Sequence, residues 1–381
     1  MTIAAADLAR LTGAKAVANT SLRWIPFFLP TLALAFDART ALLAAVLGIA
    51  EASGLATLVA GRWLDAARER FVIIVALVSI SLASVIALIG SVPAFAVMAI
   101  ILGAAAGYVT VGGHAWISAR VPFDRRARFI GIYEISWAMA LLIGAPIVAG
   151  LIGLFGWRGP FVAAAIASLI AAVAVGSIKD GERVEAPKVR AALARLGSDV
   201  WIVIGAAAGT SMAGLTTIVV AGTWLDEELG VSTAGVGLVA MLFGAAELLA
   251  STSSSAFADR VGKRRSMQVS VTGVLVGLGI ISVAGSSLLI GVIGLVVFFV
   301  GFEYSIVTSF SLVSEALPEA RGRAIGVGSA ISTLARGIGV FAAGFLYEAF
   351  GIVGPATLSA AAAVVSLAFL FAVSRKRPDL H

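Results

Sequence analysis

Arg126-Ala127-Arg128-Phe129-Ile130-Gly131, leading to Phe155-Gly156-Trp157-Arg158-Gly159-Pro160, returns 195 positions later as Arg321-Gly322-Arg323-Ala324-Ile325-Gly326, leading to Phe350-Gly351-Ile352-Val353-Gly354-Pro355. At that offset Arg126, Arg128, Gly131, Gly144, Gly156, Gly159 and Pro160 each meet their own residue type again. Asp65, after Gly61-Arg62-Trp63-Leu64, and Asp259, after Ser255-Ala256-Phe257-Ala258, form a second recurring pair 194 apart. Each copy begins at a basic loop and runs into apolar sequence. A chain of 381 residues repeating in this way reads as a duplication. In an apolar protein such repeats are characteristic of transporter folds, in which one half rocks against the other.

Composition sets the setting of this repeat. Hydrophobic residues make up 60% and charged residues 13% of the chain, against roughly 25% charged in soluble domains. The 42 glycines suit membrane helices, where small residues let backbones approach. With no cysteine and only His114 and His381, neither a disulfide framework nor a zinc site is expected. A phosphate-binding glycine loop is missing from the sequence, so no nucleotide cofactor is expected either.

A helix needs about 20 mostly apolar residues to cross the hydrocarbon. That ruler places twelve spans, at 16–36, 40–61, 71–91, 93–119, 128–153, 160–178, 201–223, 233–256, 267–286, 288–313, 324–348 and 353–374. The expected fold is all-α and polytopic, with two pseudo-symmetric six-helix bundles, 1–178 and 201–381, joined by a polar linker at 179–200. All lysines and arginines except Arg23, Arg39, Arg158 and Arg336 fall at the termini, in the linker or in the even-numbered connections. The net charge of +6 therefore points to topology rather than to nucleic acid. By the positive-inside rule the basic face and both termini are cytoplasmic, in what is expected to be a plasma (inner) membrane. The first apolar run carries Arg23, Pro26 and Pro30 and lacks a small-residue cleavage site, unlike a signal peptide.

The loop Gly61-Arg62-Trp63-Leu64-Asp65-Ala66-Ala67-Arg68-Glu69-Arg70 follows the second span, and Ser255-Ala256-Phe257-Ala258-Asp259-Arg260-Val261-Gly262-Lys263-Arg264-Arg265 follows the eighth. Both resemble the signature loop of the major facilitator superfamily, Gly-x-x-x-Asp-Arg/Lys-x-Gly-Arg/Lys-Arg/Lys. The second copy departs only at Ser255. The first keeps Gly61, Asp65 and Arg70 but has Ala66, Arg68 and Glu69 where a basic residue, glycine and a basic residue are usual. With twelve spans and a central linker, the resemblance covers essentially the whole chain. It implies that the loop aspartates latch one half to the other: Asp65 near Arg321 and Arg323, and Asp259 near Arg126 and Arg128. Arg260, Gly262, Lys263 and Arg264 belong to the same gating set. A physical argument agrees, because a carboxylate at a cytoplasmic helix end is well placed to meet a neighbouring helix N-terminus.

Six ionisable residues lie within spans: Arg23, Glu51, Glu134, Glu247, Glu303 and Arg336. Each costs roughly 2.5–3.5 kcal/mol at a helix centre, so they are expected to face one another or a watery cavity. Glu303 and Arg336 lie at matching depth in adjacent spans and could pair. Glu51 and Glu247 each follow a glycine by three residues. A glutamate without such a partner, Glu247 first, suits a proton carrier, while Arg336 or Arg23 could neutralise an anionic substrate. His114 reads as a packing residue. Pro26 and Pro30 are expected to bend the first span. Pro146, in Gly144-Ala145-Pro146, reads as a kink that resembles only poorly the family's antiporter motif, and Ile100 stands where drug–proton antiporters of the family usually carry arginine. The expectation is a monomeric, proton-coupled secondary transporter of a small organic solute. Export is favoured over uptake on family frequency alone. An uncoupled facilitator and a non-transporting receptor or scaffold are the alternatives, and nothing in the sequence points to a membrane enzyme.

Overall fold

The computed structural model describes residues 4–65, 68–178 and 196–376, and these form helices with no strand among them. In chain order they are α1 (Ala5–Arg23), α2 (Leu29–Ala35), α3 (Thr40–Glu51), α4 (Thr57–Asp65), α5 (Glu69–Ala87), α6 (Val92–Arg120), α7 (Phe123–Met139), α8 (Ala145–Phe155), α9 (Arg158–Gly176), α10 (Ser198–Glu227), α11 (Thr233–Val261), α12 (Lys263–Val283), α13 (Leu288–Ala316), α14 (Arg321–Phe350) and α15 (Val353–Lys376). Eleven helical stretches among the described residues are long and apolar enough to cross a membrane. At 1.5 Å per residue, the 29 residues of α6 reach about 43 Å, more than the roughly 30 Å hydrocarbon thickness. Leu34, Leu154, Val173 and Val283 are three-quarters or more exposed. Such side chains are tolerable where the solvent is lipid.

The first expected span is not among those eleven. Residues 16–36 do not form a single helix: α1 ends at Arg23, Ile25–Phe28 tightens to a 3-10 turn, and α2 resumes at Leu29. Pro26 and Pro30 open those two pieces, and a proline lacks the N–H that would continue the ladder. The second span is interrupted by a 3-10 turn at Ala52–Ala56, without a proline. The fifth carries a π-turn at Ala140–Gly144 immediately before Pro146, where a proline disturbs the ladder and π-bulges form.

The duplication read from the sequence reappears in local geometry. Gly156 and Gly351 end α8 and α14 with φ of +66° and +59°, the left-handed region glycine adopts most readily. Three residues later, a Cβ on Gly159 would meet the Leu151 carbonyl, and one on Gly354 the Leu346 carbonyl. Gly144 abuts Thr20, and its counterpart Gly339 abuts Thr216.

Packing divides the chain into two compact units. The first is Met1–Ala38, Ser53–Val189 and Thr233–Gly244; the second is Arg39–Ala52, Arg190–Ser232 and Ala245–His381. Each unit therefore borrows one stretch from the other sequence half, and glycine explains both loans. In the second unit, a Cβ on Gly48 of α3 would strike the backbone of Phe341 and Gly337 in α14, and one on Gly344 that of Ala41. In the first unit, a Cβ on Gly244 of α11 would strike the backbone of Leu142 and Ala138, and one on Gly237 would meet Ala149. Gly48 and Gly244 are 196 positions apart, close to the 195-residue repeat, so each unit carries a comparable glycine contact. Missing side chains let the backbones touch, and dispersion between them replaces a hydrophobic drive that lipid does not provide.

Candidate functional site

In the first unit, Lys15 of α1, His114 of α6 and Glu134 of α7 converge on one carboxylate oxygen. Lys15 Nζ lies 2.6 Å and His114 Nε2 2.5 Å from Glu134 Oε1. Lys15 is 1% exposed, whereas the Glu134 and His114 side chains are 42% and 37% exposed. The ammonium is therefore sealed inside while the acid and imidazole remain reachable. Tyr133 positions the cluster. Its buried hydroxyl donates to the Val109 carbonyl at 2.7 Å, its ring meets His114 edge-on, and Lys15 Nζ sits 4.5 Å from its centroid. Gly113 makes this possible, since a Cβ there would collide with the Tyr133 ring.

Two turns along α1 from Lys15, the Arg23 guanidinium stacks 4.0 Å from the Trp137 ring centroid and donates to the Trp137 carbonyl at 2.6 Å. Asn19 lies midway between Lys15 and Arg23 at helical spacing. It is 2% exposed, and its Nδ2 has no hydrogen-bond partner among the described residues. Lys15, Asn19 and Arg23 thus line one stripe of α1, because positions four residues apart share a helix face.

In the second unit, Arg336 of α14 donates to Glu51 of α3 through Nε at 3.0 Å, with Nη2 2.9 Å from the same oxygen and 3.3 Å from Thr333 Oγ1. The sequence suggested Glu303 as the partner of Arg336. The structure instead places Glu51 there, because the Gly48 contact brings α3 against α14. At the far end of the same seam, Arg39 and Glu348 form a two-pronged ion pair. That carboxylate raises the Arg39 pKa. Glu247 and Glu303 are both buried in this unit, at 1% and 6% exposure.

The loop residues fall into separate places. The surroundings of Gly61 and the side chains of Asp65 and Asp259, and with them the expected latch contacts, lie outside the described residues. Arg70 donates to the Gly176 carbonyl at 2.7 Å, capping the end of α9. Arg126 reaches the Val121 carbonyl, and Arg128, Arg260, Arg321 and Arg323 are exposed. Gly262 takes φ +92° at the start of α12, Lys263 pairs with Glu315, and Arg264 is half-buried.

Two members of the Lys15 cluster were missed in the sequence. Lys15 looked like a terminal topology charge, but α1 begins at Ala5 and carries it into the packed helices. His114 looked like packing, yet it is a partner of Glu134. The available signal was the Lys15, Asn19, Arg23 spacing, which reads as a polar stripe once the helix is started at Ala5 instead of at position 16. A group of three or more metal-binding side chains is not found among the described residues.

Comparison with known proteins gives a consistent result. The family model for the Major Facilitator Superfamily matches residues 11–219 and again 204–381. The uncharacterized MFS-type transporter YwfA of Bacillus subtilis (strain 168) is 25% identical over 274 residues, 69% of this chain and 66% of that protein. The match thus spans just under two thirds of that relative's length. A bacterial homolog of the human lysosomal transporter Spinster superposes with TM-score 0.79 at 16% identity, covering 98% of this chain and 97% of that one. A D-xylose–proton symporter superposes with TM-score 0.76 at 16% identity, covering 96% and 97%. At such identities the solved structures show the fold.

Proposed function

The chain belongs to the Major Facilitator Superfamily, and from that premise we propose that it is a proton-coupled secondary transporter of a small organic solute. It works by alternating access, with the sequence halves 1–178 and 201–381 as the moving bodies. The family supplies the coarse conclusion, an integral membrane transporter rather than an enzyme. The observation that carries the finer one is Glu134, held at one oxygen by Lys15 and His114 in the interior of the spans. A carboxylate left open to hydrocarbon is costly, so its reachable side faces water and can exchange protons. Glu134 therefore displaces Glu247 as the leading proton carrier, because Glu247 is sealed at 1% exposure. The Arg336–Glu51 pair joins α3 to α14 and makes or breaks as those helices part. Both termini and the basic loops are assigned to the cytoplasmic side of the plasma membrane, and the working unit to a monomer.

The test uses purified protein in liposomes loaded with a pH-sensitive dye. Sugars, amino acids, amines and organic acids are added outside one class at a time, with an imposed solute gradient. Solute entry coupled to protons changes the internal pH, and Glu134→Gln abolishes that change while leaving solute exchange. Coupling that persists in Glu134→Gln would reject this assignment.

A further inference from the structure

We propose that the α1 stripe of Lys15, Asn19 and Arg23, completed by His114, binds the carboxylate of a small organic acid, and that Glu134 occupies the place of that carboxylate when the site is empty. The inference rests on the transport reading and names its substrate class. Three observations point the same way. Lys15 is a cation sealed inside helices, and a buried ammonium persists only with an anionic partner. That partner, Glu134, is held through Oε1 alone by both donors. Asn19, one turn along the same face, presents a buried amide donor that has no acceptor among the described residues. A donor left unsatisfied in a protein interior is expensive, and a ligand oxygen would satisfy it. Arg23, two turns along α1, adds a second cationic side chain to the stripe. Trp137, 40% exposed and stacked on Arg23, offers an apolar flank for the remainder of the acid.

The site recognises a carboxylate because it already holds one. Ligand and Glu134 compete for Lys15 and His114, so the acid enters when Glu134 is neutral. The titratable groups around Lys15 are few. From α6 it meets His114, and from α7 Tyr133 and Glu134. The α9 stretch after Arg158 contains no titratable residue. On α5, Glu69 is engaged by Arg120 and Arg70 by the Gly176 carbonyl. Protonation of Glu134 and binding of the acid therefore favour one another, and this mutual dependence is reciprocal. Proton and carboxylate travel together, as symport. Under an inward proton gradient that means uptake, in place of the export expected from family frequency.

The experiment measures binding of acetate and benzoate to the purified full-length protein in detergent, with acetamide and benzamide as neutral isosteres. Wild type should bind the acids and not the amides. Its affinity should weaken about tenfold per pH unit toward alkaline pH, the slope of one proton taken up with each acid. Glu134→Gln removes the competitor. It should bind the acids at least about tenfold more tightly at pH 8, because no carboxylate then competes for Lys15 and His114, and lose the pH slope. Lys15→Met and Asn19→Leu should lose acid binding. Should either fail to fold, Glu134→Gln still decides. Amides binding as well as acids, or Glu134→Gln binding acids no more tightly than wild type, would overturn the inference. Proton-driven transport of some other solute without acid binding removes this inference and leaves the transporter reading intact. Acid binding with proton uptake but no gradient-driven movement does the reverse.

Discussion

Adding one methyl group at Gly48 tests the seam between α3 and α14. In Gly48→Ala the new Cβ would lie 2.7 Å from the Gly337 carbonyl oxygen and 2.7 Å from Phe341 Cα, with the Phe341 nitrogen nearer still. All three are backbone atoms of a regular helix, so none can rotate aside. Ordinary contact needs about 3.5–4.0 Å, which requires the helices to part by roughly 1 Å. A gap of that size forfeits a quarter to a half of each facing dispersion contact. It also pulls on the ion pairs at the two ends of the seam, Arg39–Glu348 and Glu51–Arg336. Overpacking of this kind costs about 1–3 kcal/mol. Gly279→Ala is the internal control, since a Cβ there meets nothing within 4 Å. It lies inside α12, where alanine replaces a poor helix former and stabilises by at most about 1 kcal/mol. The assay is unfolding of the purified protein by titration with a denaturing detergent, followed by tryptophan fluorescence. Gly48→Ala should unfold earlier than wild type and Gly279→Ala should not. If the two variants fell within about 0.5 kcal/mol of each other, the size of ordinary surface effects, backbone contact at Gly48 would not be what holds the seam.

Three further outcomes follow from the same geometry. Arg336→Met strands Glu51 and should cost about 1.5–3 kcal/mol, the range for a hydrogen-bonded charge. Adding Glu51→Gln should recover part of that loss, and strict additivity in the double-mutant cycle would deny the pairing. Gly113→Ala drives a Cβ into the Tyr133 ring and should cost about 1–3 kcal/mol. It should also flatten the pH dependence of transport by shifting Glu134; wild-type stability with an unchanged pH profile would refute that support role. The native chain has no cysteine, so Arg39→Cys with Glu348→Cys can be joined cleanly by a short bifunctional thiol reagent. Joining them should arrest transport and reduction should restore it, whereas full activity of the linked protein would show that α3 and α14 need not separate.

The sequence alone settled what depends on local composition. Runs of about 20 apolar residues, the crowding of arginine and lysine into alternate connections, and the 195-residue recurrence required no neighbour to be known. Even the proline breaks in the first and fifth spans were visible, because a missing N–H acts on its own helix. The partners of charges were a different matter. Matching depth made Glu303 a reasonable mate for Arg336, but depth does not tell which face of a helix turns toward which neighbour. Gly48 fixed that rotation by admitting the α14 backbone, and Glu51 came with it. Lys15 had the look of a terminal charge until the earlier start of α1, at Ala5, carried it inside, beside a histidine from α6 and a glutamate from α7. Hydropathy is a property of one segment and can be read along the chain. Ion pairing inside a bundle is a property of two or three helices at fixed rotation, and only the tertiary structure sets those rotations.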